Sequence, residues 1–351
     1  MTLRSILGYL AVALAALYAL VVVPAAGDMT TMINGTVYAS YGVLVLSLAL
    51  IWGYAGILSF GQAAFFGIGG YVYAVAALNL GDTTLSAFIA VLAATGFAAL
   101  LGYFMFWGRL SDVYLGVVTL TVSLILYRFM NQTAGDEWTI GVAPLGGFNG
   151  IPSTPILTVP GDPDTMLEPE QIYMLAILAL LASYLLCKFL LATRFGRIIV
   201  GIRENESRVE LLGYDSRYYK LAIFSLAGGI AGVGGVLFAN CVFVSPNMFN
   251  LQTNGQIIIW VIVGGLGTLA GPVIGCFLML MLATELGTLG QGAAASWADP
   301  NLIMGVILTA FVLVLRKGLL PMSLAAFDRM VSGRSRSGEL AVPVEKSVAA
   351  E

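Results

Sequence analysis

Histidine is absent from all 351 residues. That excludes a histidine-based catalyst, a His metal site and a His proton relay. Charge is also scarce: Asp, Glu, Lys and Arg make up 10% of the chain, the net charge is -3, and no basic tract suggests nucleic acid. The three cysteines, Cys187, Cys241 and Cys276, fall in apolar stretches at spacings that fit neither a zinc site nor a disulfide framework. No GxxxxGK[ST] segment occurs, so the chain carries no phosphate-binding loop of its own. No acid or base lies in the middle of an apolar run; Lys188 and Glu285 lie near run ends, where they can snorkel. Ion-coupled transport usually needs buried titratable groups, and an intramembrane enzyme needs a nucleophile with its base or a metal. Both classes lose ground here.

What is abundant is apolar surface: 59% of residues, with a mean hydropathy of +0.93. A soluble core of this size cannot hide so much, so lipid must cover part of it. Every backbone group in hydrocarbon needs an internal partner, and the runs are long rather than alternating. The expected class is all-α, a polytopic membrane protein. Spans are expected over 6–23, 34–51, a third ending near Leu78, 85–107, 113–130, 171–192, 221–244 and 302–315. The run 256–284 is broken by GGLGTLAGP. A polar, Gly- and Pro-rich connection over 131–170 carries acids but no Lys or Arg, and its Trp138, Gly146, Gly147 and Phe148 suggest an ordered surface that a solute-binding protein could dock on. The permease domain is taken as 1–331 and a disordered cytoplasmic tail as 332–351.

Orientation follows from Lys and Arg. With the amino terminus cytoplasmic and one crossing per span, 15 of the 16 Lys and Arg fall on the cytoplasmic side and only Arg128 does not. Both termini are then cytoplasmic and 131–170 is external. The same count makes 256–284 cross an even number of times, as two helices turning at GGLGT or as a re-entrant hairpin. Eight crossings plus this hairpin result, or ten if its arms span.

Against this background, 194–220 is a charged island in which ten of 27 residues are ionisable. An i,i+4 pair of Glu204 and Arg208 is expected, with an apolar stripe of Ile202, Val209 and Leu212 and a helix stop at Gly213. The island alone leaves two readings open: a solvated joining helix, or a short amphipathic helix that docks into a partner's groove. The stretch 53–71 holds six glycines, which suit close helix packing or a broken element lining a pathway, where Ser59, Gln62 and freed backbone groups meet solute.

Four passages resemble one known family: GYAGILSFGQAAFFGIGGY (53–71), LGGFNGIP (145–152), RFGRIIVGIRENESRVELLGYDSRYYKL (194–221) and VIVGGLGTLAGPVIG (261–275), closed by RKGLLP (316–321). In this order, over about residues 30–321, they resemble the membrane permease subunits of ABC importers for branched-chain amino acids, including the related urea and short-chain amide importers. The resemblance implies a bacterial-type inner-membrane permease that is not an enzyme and binds no cofactor itself. It implies a second homologous permease, two ATPase subunits that bind ATP and Mg, and an extracytoplasmic solute-binding protein. Carried over by position, Arg203, Glu204, Asn205, Glu206, Arg208 and Gly213 become the ATPase-coupling surface. Ser59, Gln62, Gly264, Gly265 and Gly267 become the translocation region. The island also resembles the urea branch, whereas LGGFNGIP and GGLGTLAGP, with Leu266 where the urea branch more often has a basic residue, resemble the amino-acid branch. A branched-chain or hydrophobic amino acid is the expected solute, with urea or a short amide as the alternative. A stand-alone secondary transporter or channel is the competing class.

Overall fold

The protein is described by a computed structural model covering residues 17–135, 137–151, 153–159, 161–289, 305, 309 and 318–322. The expected first span is described only from Leu17 on, and the expected last span only at residues 305 and 309; the expected tail 332–351 lies outside the described residues. A π-helical turn Tyr18–Val22 runs into helical Val23–Ala26. Nine helices follow among the described residues: α1 Met29–Ala55, α2 Gln62–Leu80, α3 Thr83–Trp107, α4 Asp112–Gln132, α5 Pro169–Ala192, α6 Arg194–Leu211, α7 Ser216–Ala239, α8 Leu251–Gly264 and α9 Ala270–Leu289. Of these, α1 to α5 and α7 are long and apolar enough to cross a membrane. The chain is an all-α polytopic membrane protein.

Helix ends follow local chemistry. The Asp82 carboxylate accepts from Thr84 N (2.9 Å) and Leu85 N (3.1 Å), starting α3 two residues before the expected Leu85. Pro169 opens α5 inside a capping box formed by Glu168 and Gln171. Helices that are apolar all round take the centre: α1, α2 and α7 are mostly buried, whereas α3, α4 and α5 expose Phe88, Leu92, Phe104, Ile125 and Phe189. Small residues let the central helices touch backbone to backbone. A Cβ on Gly235 of α7 would strike the Phe66 carbonyl of α2, and one on Gly69 would strike the Gly232 carbonyl.

The connection after α4 is ordered, as its aromatic and glycine content suggests. It holds two small antiparallel hairpins, β1 Thr139–Ile140 with β2 Ala143–Pro144, and β3 Thr158–Val159 with β4 Asp162–Met166. This end of the bundle is the loop end; the end carrying α6 is the charged end.

One expected boundary needs correction. The seventh span does not continue to Val244. α7 stops at Ala239, where the Asn240 side chain accepts from Leu157 N (2.7 Å) and Tyr73 Oη (3.2 Å). Val244 instead pairs with Ile151 of the connection. The chain then re-enters the bundle as a non-helical segment with a 3-10 turn, Pro246–Phe249, and α8 begins only at Leu251. With 14 residues, α8 is about 21 Å long, short of a ~30 Å hydrocarbon core. The glycine-broken run forms the expected hairpin: two antiparallel arms, α8 and α9, turning at 265–269. The turn lies against Gly53 near one end of α1, while Thr284 of α9 bonds Tyr38 (2.6 Å) toward the other. Gly318 sits against Gly265, so the chain comes back to the turn after the last apolar run.

The α2–α7 contact is directly testable. Replacing Gly235 with Ala should destabilise the folded protein by about 1–3 kcal/mol, because backbone faces the new methyl group. Gly96→Ala, in α3 with open space around it, should be neutral or stabilising by about 0.5–1 kcal/mol. Thermal unfolding of the detergent-solubilised protein reads both.

Candidate functional site

The sequence-predicted residues separate into two levels. Gln62 lies at the deeper one, as the first residue of α2, 1% exposed. Its Nε2 donates to Ser47 Oγ of α1 (2.9 Å) and, more weakly, to Ala227 O of α7 (3.4 Å). Ser47 is eight residues before the end of α1, about 12 Å inside the bundle from that end. The chain therefore leaves α1 at Gly56, runs back inward without helix over 56–61, and starts α2 at depth. Phe60 N on the way donates to Thr119 Oγ1 of α4 (3.1 Å).

A shorter helix, which also starts at depth, meets it there. Ala63 N, in the first turn of α2, donates to Asn254 Oδ1 of α8 (3.1 Å). Asn254 Nδ2 donates to Ser123 Oγ of α4 (2.9 Å) and to Asn250 O (3.1 Å), and Ser123 Oγ donates to Phe249 O (2.9 Å). Phe249 stacks on Tyr71 with ring centroids 5.5 Å apart. The amino-terminal ends of α2 and α8 thus converge inside the bundle, one helix leading to each end. Irregular backbone at such depth is tolerated only where protein or a cavity covers it, and here Asn254, Ser123, Thr119 and Gln62 supply the hydrogen bonds. Three buried polar atoms at this level have no hydrogen-bond partner among the described residues: Ser59 Oγ, Gln62 Oε1 and Tyr71 Oη. No titratable carboxylate or amine takes part in the convergence; its polarity comes from amides, hydroxyls and helix ends.

Asn254 escapes the sequence reading because it lies in the polar stretch NLQTNGQ, two residues before the apolar run 256–284, where hydropathy gives no sign of depth; Ser123, a lone hydroxyl within the run 113–130, was the one available signal.

Gly264, Gly265 and Gly267 lie at the other level, in the turn between α8 and α9 at the charged end. Gly265 (φ 116°) and Gly267 (φ 83°) adopt backbone that side chains disfavour. A Cβ on Gly264 would strike the Gly271 carbonyl across the hairpin. The structure does not gather these glycines with Ser59 and Gln62 into one cluster. A Cβ added to Gly53 would instead meet Gly267 N at 3.2 Å, in the last turn of α1.

The island forms α6, but not as one straight helix. Asn205 is extended (φ -162°, ψ 99°), and its Oδ1 accepts from Arg208 N (3.0 Å), capping a second short arm. The kink undoes two expectations. Glu204 pairs with Arg203 (2.6 Å) rather than with Arg208 four residues on. Ile202 and Val209 are buried, but Leu212 leaves the stripe: Leu211 and Leu212 are 87% and 76% exposed at the tip. Gly213 (φ 89°) follows the helix as its stop. Glu204, Asn205 and Arg208 face solvent, Glu206 is half-buried, and Arg203 turns inward, with Nη1 donating to Gly53 O.

The second arm is fastened to α7. Glu206 pairs with Lys220 (2.7 Å) and Ser216 Oγ donates to Glu210 Oε1 (2.6 Å). These residues line a cavity of about 530 Å³ together with Phe106, Arg109 and Leu110. Burial alone would raise the Glu206 carboxyl, but the hydrogen bond from Lys220 and the Lys220 charge outweigh it and hold the pKa below the usual carboxylate range. At the start of α7, the hydrogen bond from Arg217 likewise holds Asp215 low.

Two measurements test this geometry. Asn254→Ala strands Ala63 N and should cost about 1–3 kcal/mol of stability, read by thermal unfolding in detergent, and should depress transport. A depressed carboxylate contributes stability that is complete above its unfolded value and is lost as pH falls through its lower folded value. The α6–α7 tie should therefore hold at neutral pH and loosen only below the ordinary carboxylate range. Hydrogen exchange of the 206–211 amides should rise on acidification in the native protein, and Glu206→Gln should show the raised exchange already at pH 7.

Residues 31–315 match the family model described as "Branched-chain amino acid transport system / permease component". The chain is 28% identical over 311 residues to the high-affinity branched-chain amino acid transport system permease protein LivM of Escherichia coli, covering 81% of this chain and 68% of that protein. It is 24% identical over 327 residues to the probable LivM of Methanocaldococcus jannaschii, covering 81% of this chain and 91% of that protein. Over a shorter stretch of 138 residues it is 29% identical to the autoinducer 2 import system permease protein LsrC of Salmonella paratyphi B, covering 38% of each chain. No solved structure matches the chain. With 31–315 matched, and with a polytopic helical bundle, the chain belongs to the family of permease components of branched-chain amino acid transport systems.

Proposed function

We propose that this chain forms the translocation path of an ATP-driven importer for branched-chain amino acids in a bacterial-type inner membrane, and that ATP is hydrolysed on partner subunits. The observation that carries the reading is the convergence of α2 and α8 around Asn254, where polar but uncharged groups meet inside the bundle. A branched-chain amino acid is a zwitterion with an apolar side chain. A path of amides, hydroxyls and helix ends can pass its ammonium and carboxylate without holding either as tightly as a fixed counter-charge would. Affinity is then left to an external binding protein, for which the ordered connection between α4 and α5 offers an acidic, structured platform.

The charged end supports the other half of the reading. With the amino terminus cytoplasmic, α6 lies in the cytoplasm. Its tip presents Leu211 and Leu212 to solvent beside Glu204 and Arg208. An apolar tip with a charged rim is the pattern of a helix that seats in a partner's groove. The partners of this reading are two ATPase subunits below, a second homologous permease alongside, and a solute-binding protein outside. Apolar faces of α3, α4 and α5 remain for lipid and for the second permease. Family resemblance also reaches urea and short-amide importers, but Leu266 at the turn places no charge there.

The chain, its partner permease, both ATPases and the binding protein should, in proteoliposomes, take up leucine, isoleucine or valine only with ATP and the binding protein. Charge reversal at Glu204 or Arg208 should lower uptake by about tenfold without lowering membrane insertion, if α6 is the docking helix. Uptake of urea in place of leucine would move the chain to the amide branch. Uptake by the purified chain alone, without ATP, would overturn the reading.

A further inference from the structure

We infer that Arg203 is the positioning residue that carries movement of the charged helix to the turn closing the α8–α9 hairpin; this rests on the importer reading above. The starting point is an orphaned carbonyl. α1 stops at Gly56, whose φ of 72° turns the chain away. The last carbonyls of a helix have no amide of their own to accept from, and cations are favoured beside them. Gly53 O in that last turn accepts from Arg203 Nη1, while Arg203 Nη2 pairs with Glu204 (2.6 Å). The arginine stem closes over Gly56, where an added Cβ would lie 2.8 Å from Arg203 Cγ. On its other side the same turn of α1 touches Gly267. Charged helix, end of α1 and hairpin turn are therefore stacked in direct contact, with Arg203 bonded to the last turn of α1.

The kink gives this contact a mechanical meaning. Asn205 divides α6 into two arms. Arg203 ties the first to α1, and Phe195 of the same arm packs against Tyr219 of α7 with ring centroids 5.5 Å apart. Glu206 and Glu210 tie the second to the first turn of α7. A force at the Leu211–Leu212 tip cannot move both arms as one rigid rod, because Asn205 is extended backbone between them. Displacement at the tip thus reaches α7 through one arm and the Gly53–Gly267 contact through the other. A fork is needed at the arginine, because one donor must hold Gly53 O while the other holds Glu204. A simple helix cap, by contrast, would stabilise α1 and do nothing to the coupling between hydrolysis and transport.

The test uses the complete importer in proteoliposomes, with Arg203→Gln and Arg203→Lys. Arg203→Gln should lower uptake by about tenfold while ATP hydrolysis stays within about twofold, so that ATP used per solute rises accordingly. Arg203→Lys keeps one donor for Gly53 O and should recover at least about half of the uptake, at a partly restored ratio. A nitroxide at Leu266→Cys, with the three native cysteines replaced, reports on the turn directly. Its spectrum should change on ATP binding with Arg203 present and should not change in Arg203→Gln. The inference is overturned if uptake and hydrolysis fall in parallel, if uptake per ATP is unaltered, or if the label still responds in Arg203→Gln. A complex with native Arg203 that imports nothing would overturn the importer reading and this inference together; one that imports while Arg203→Gln keeps its ratio would overturn this inference alone.

Discussion

A backbone amide inside hydrocarbon has no water to turn to, and the architecture depends on how this chain meets that constraint. Five of the six membrane-length helices meet it internally. The sixth, α2, and the shorter α8 do not, because they start at depth, and the first amides of a helix have no partner of their own. One hydrogen bond answers for much of both. Asn254 Oδ1 accepts from Ala63 N of α2, and its Nδ2 holds Ser123 and the start of α8. A side chain able both to accept and to donate is required at that point. Leu would leave Ala63 N stranded, and Asp would lose the two donations. The protein can therefore keep irregular backbone in its centre without any fixed charge there.

The same constraint explains where the glycines fall. Helices that start or turn inside the bundle are held by close approach of backbone to backbone. α7 lies against α2 through Gly232 and Gly235, and the hairpin arms cross at Gly264 and Gly271. These contacts are backbone against backbone, so they are stiff and specific. Around them sit aromatic groups that fill the remaining space, such as Tyr41 stacked on Phe66 with centroids 5.5 Å apart. The exposed apolar faces of α3, α4 and α5 carry none of this intimacy, as expected of surfaces that meet lipid or another subunit.

Much of this was legible in the sequence, for a simple reason: membrane-length apolar runs have few alternative structures. The runs 85–107 and 171–192 match α3 and α5 to within two residues at their starts. The break at GGLGT followed from the distribution of Lys and Arg combined with local glycine. What stayed hidden was decided by single hydrogen bonds rather than by hydropathy. The apolar run up to Val244 concealed the end of α7, because the Asn240 side chain is claimed by the distant connection. Asn205 looked like one polar residue in a charged helix, yet its side chain caps Arg208 and splits the helix, sending Leu212 to solvent. The depth of Gln62 depends on Ser47, fifteen positions earlier, and no local pattern encodes that pairing. Of the candidate residues, Gln62 and the island were recognisable by type; Asn254, which joins α2 and α8, was not.

The two levels of the candidate site are joined by one short rod. α8 begins three residues before Asn254, at the convergence, and ends at Gly264, at the turn against α1. Within a helix the hydrogen-bonded backbone resists bending over 14 residues, so tilting of one end is delivered to the other. Movement of the turn past Gly53 must therefore either strain or break the Asn254–Ala63 contact about 21 Å or less away. α9 cannot absorb the motion, because Gly264 and Gly271 are in backbone contact and Thr284 is tied to Tyr38 at the far end. α1 cannot absorb it either, being buried along most of its length. The joints left are the non-helical segments 56–61 and 240–250, each lying just before a helix that starts at depth. A path that opens by moving these two joints needs no charged gate, which agrees with a chain that places none in the middle of its apolar runs.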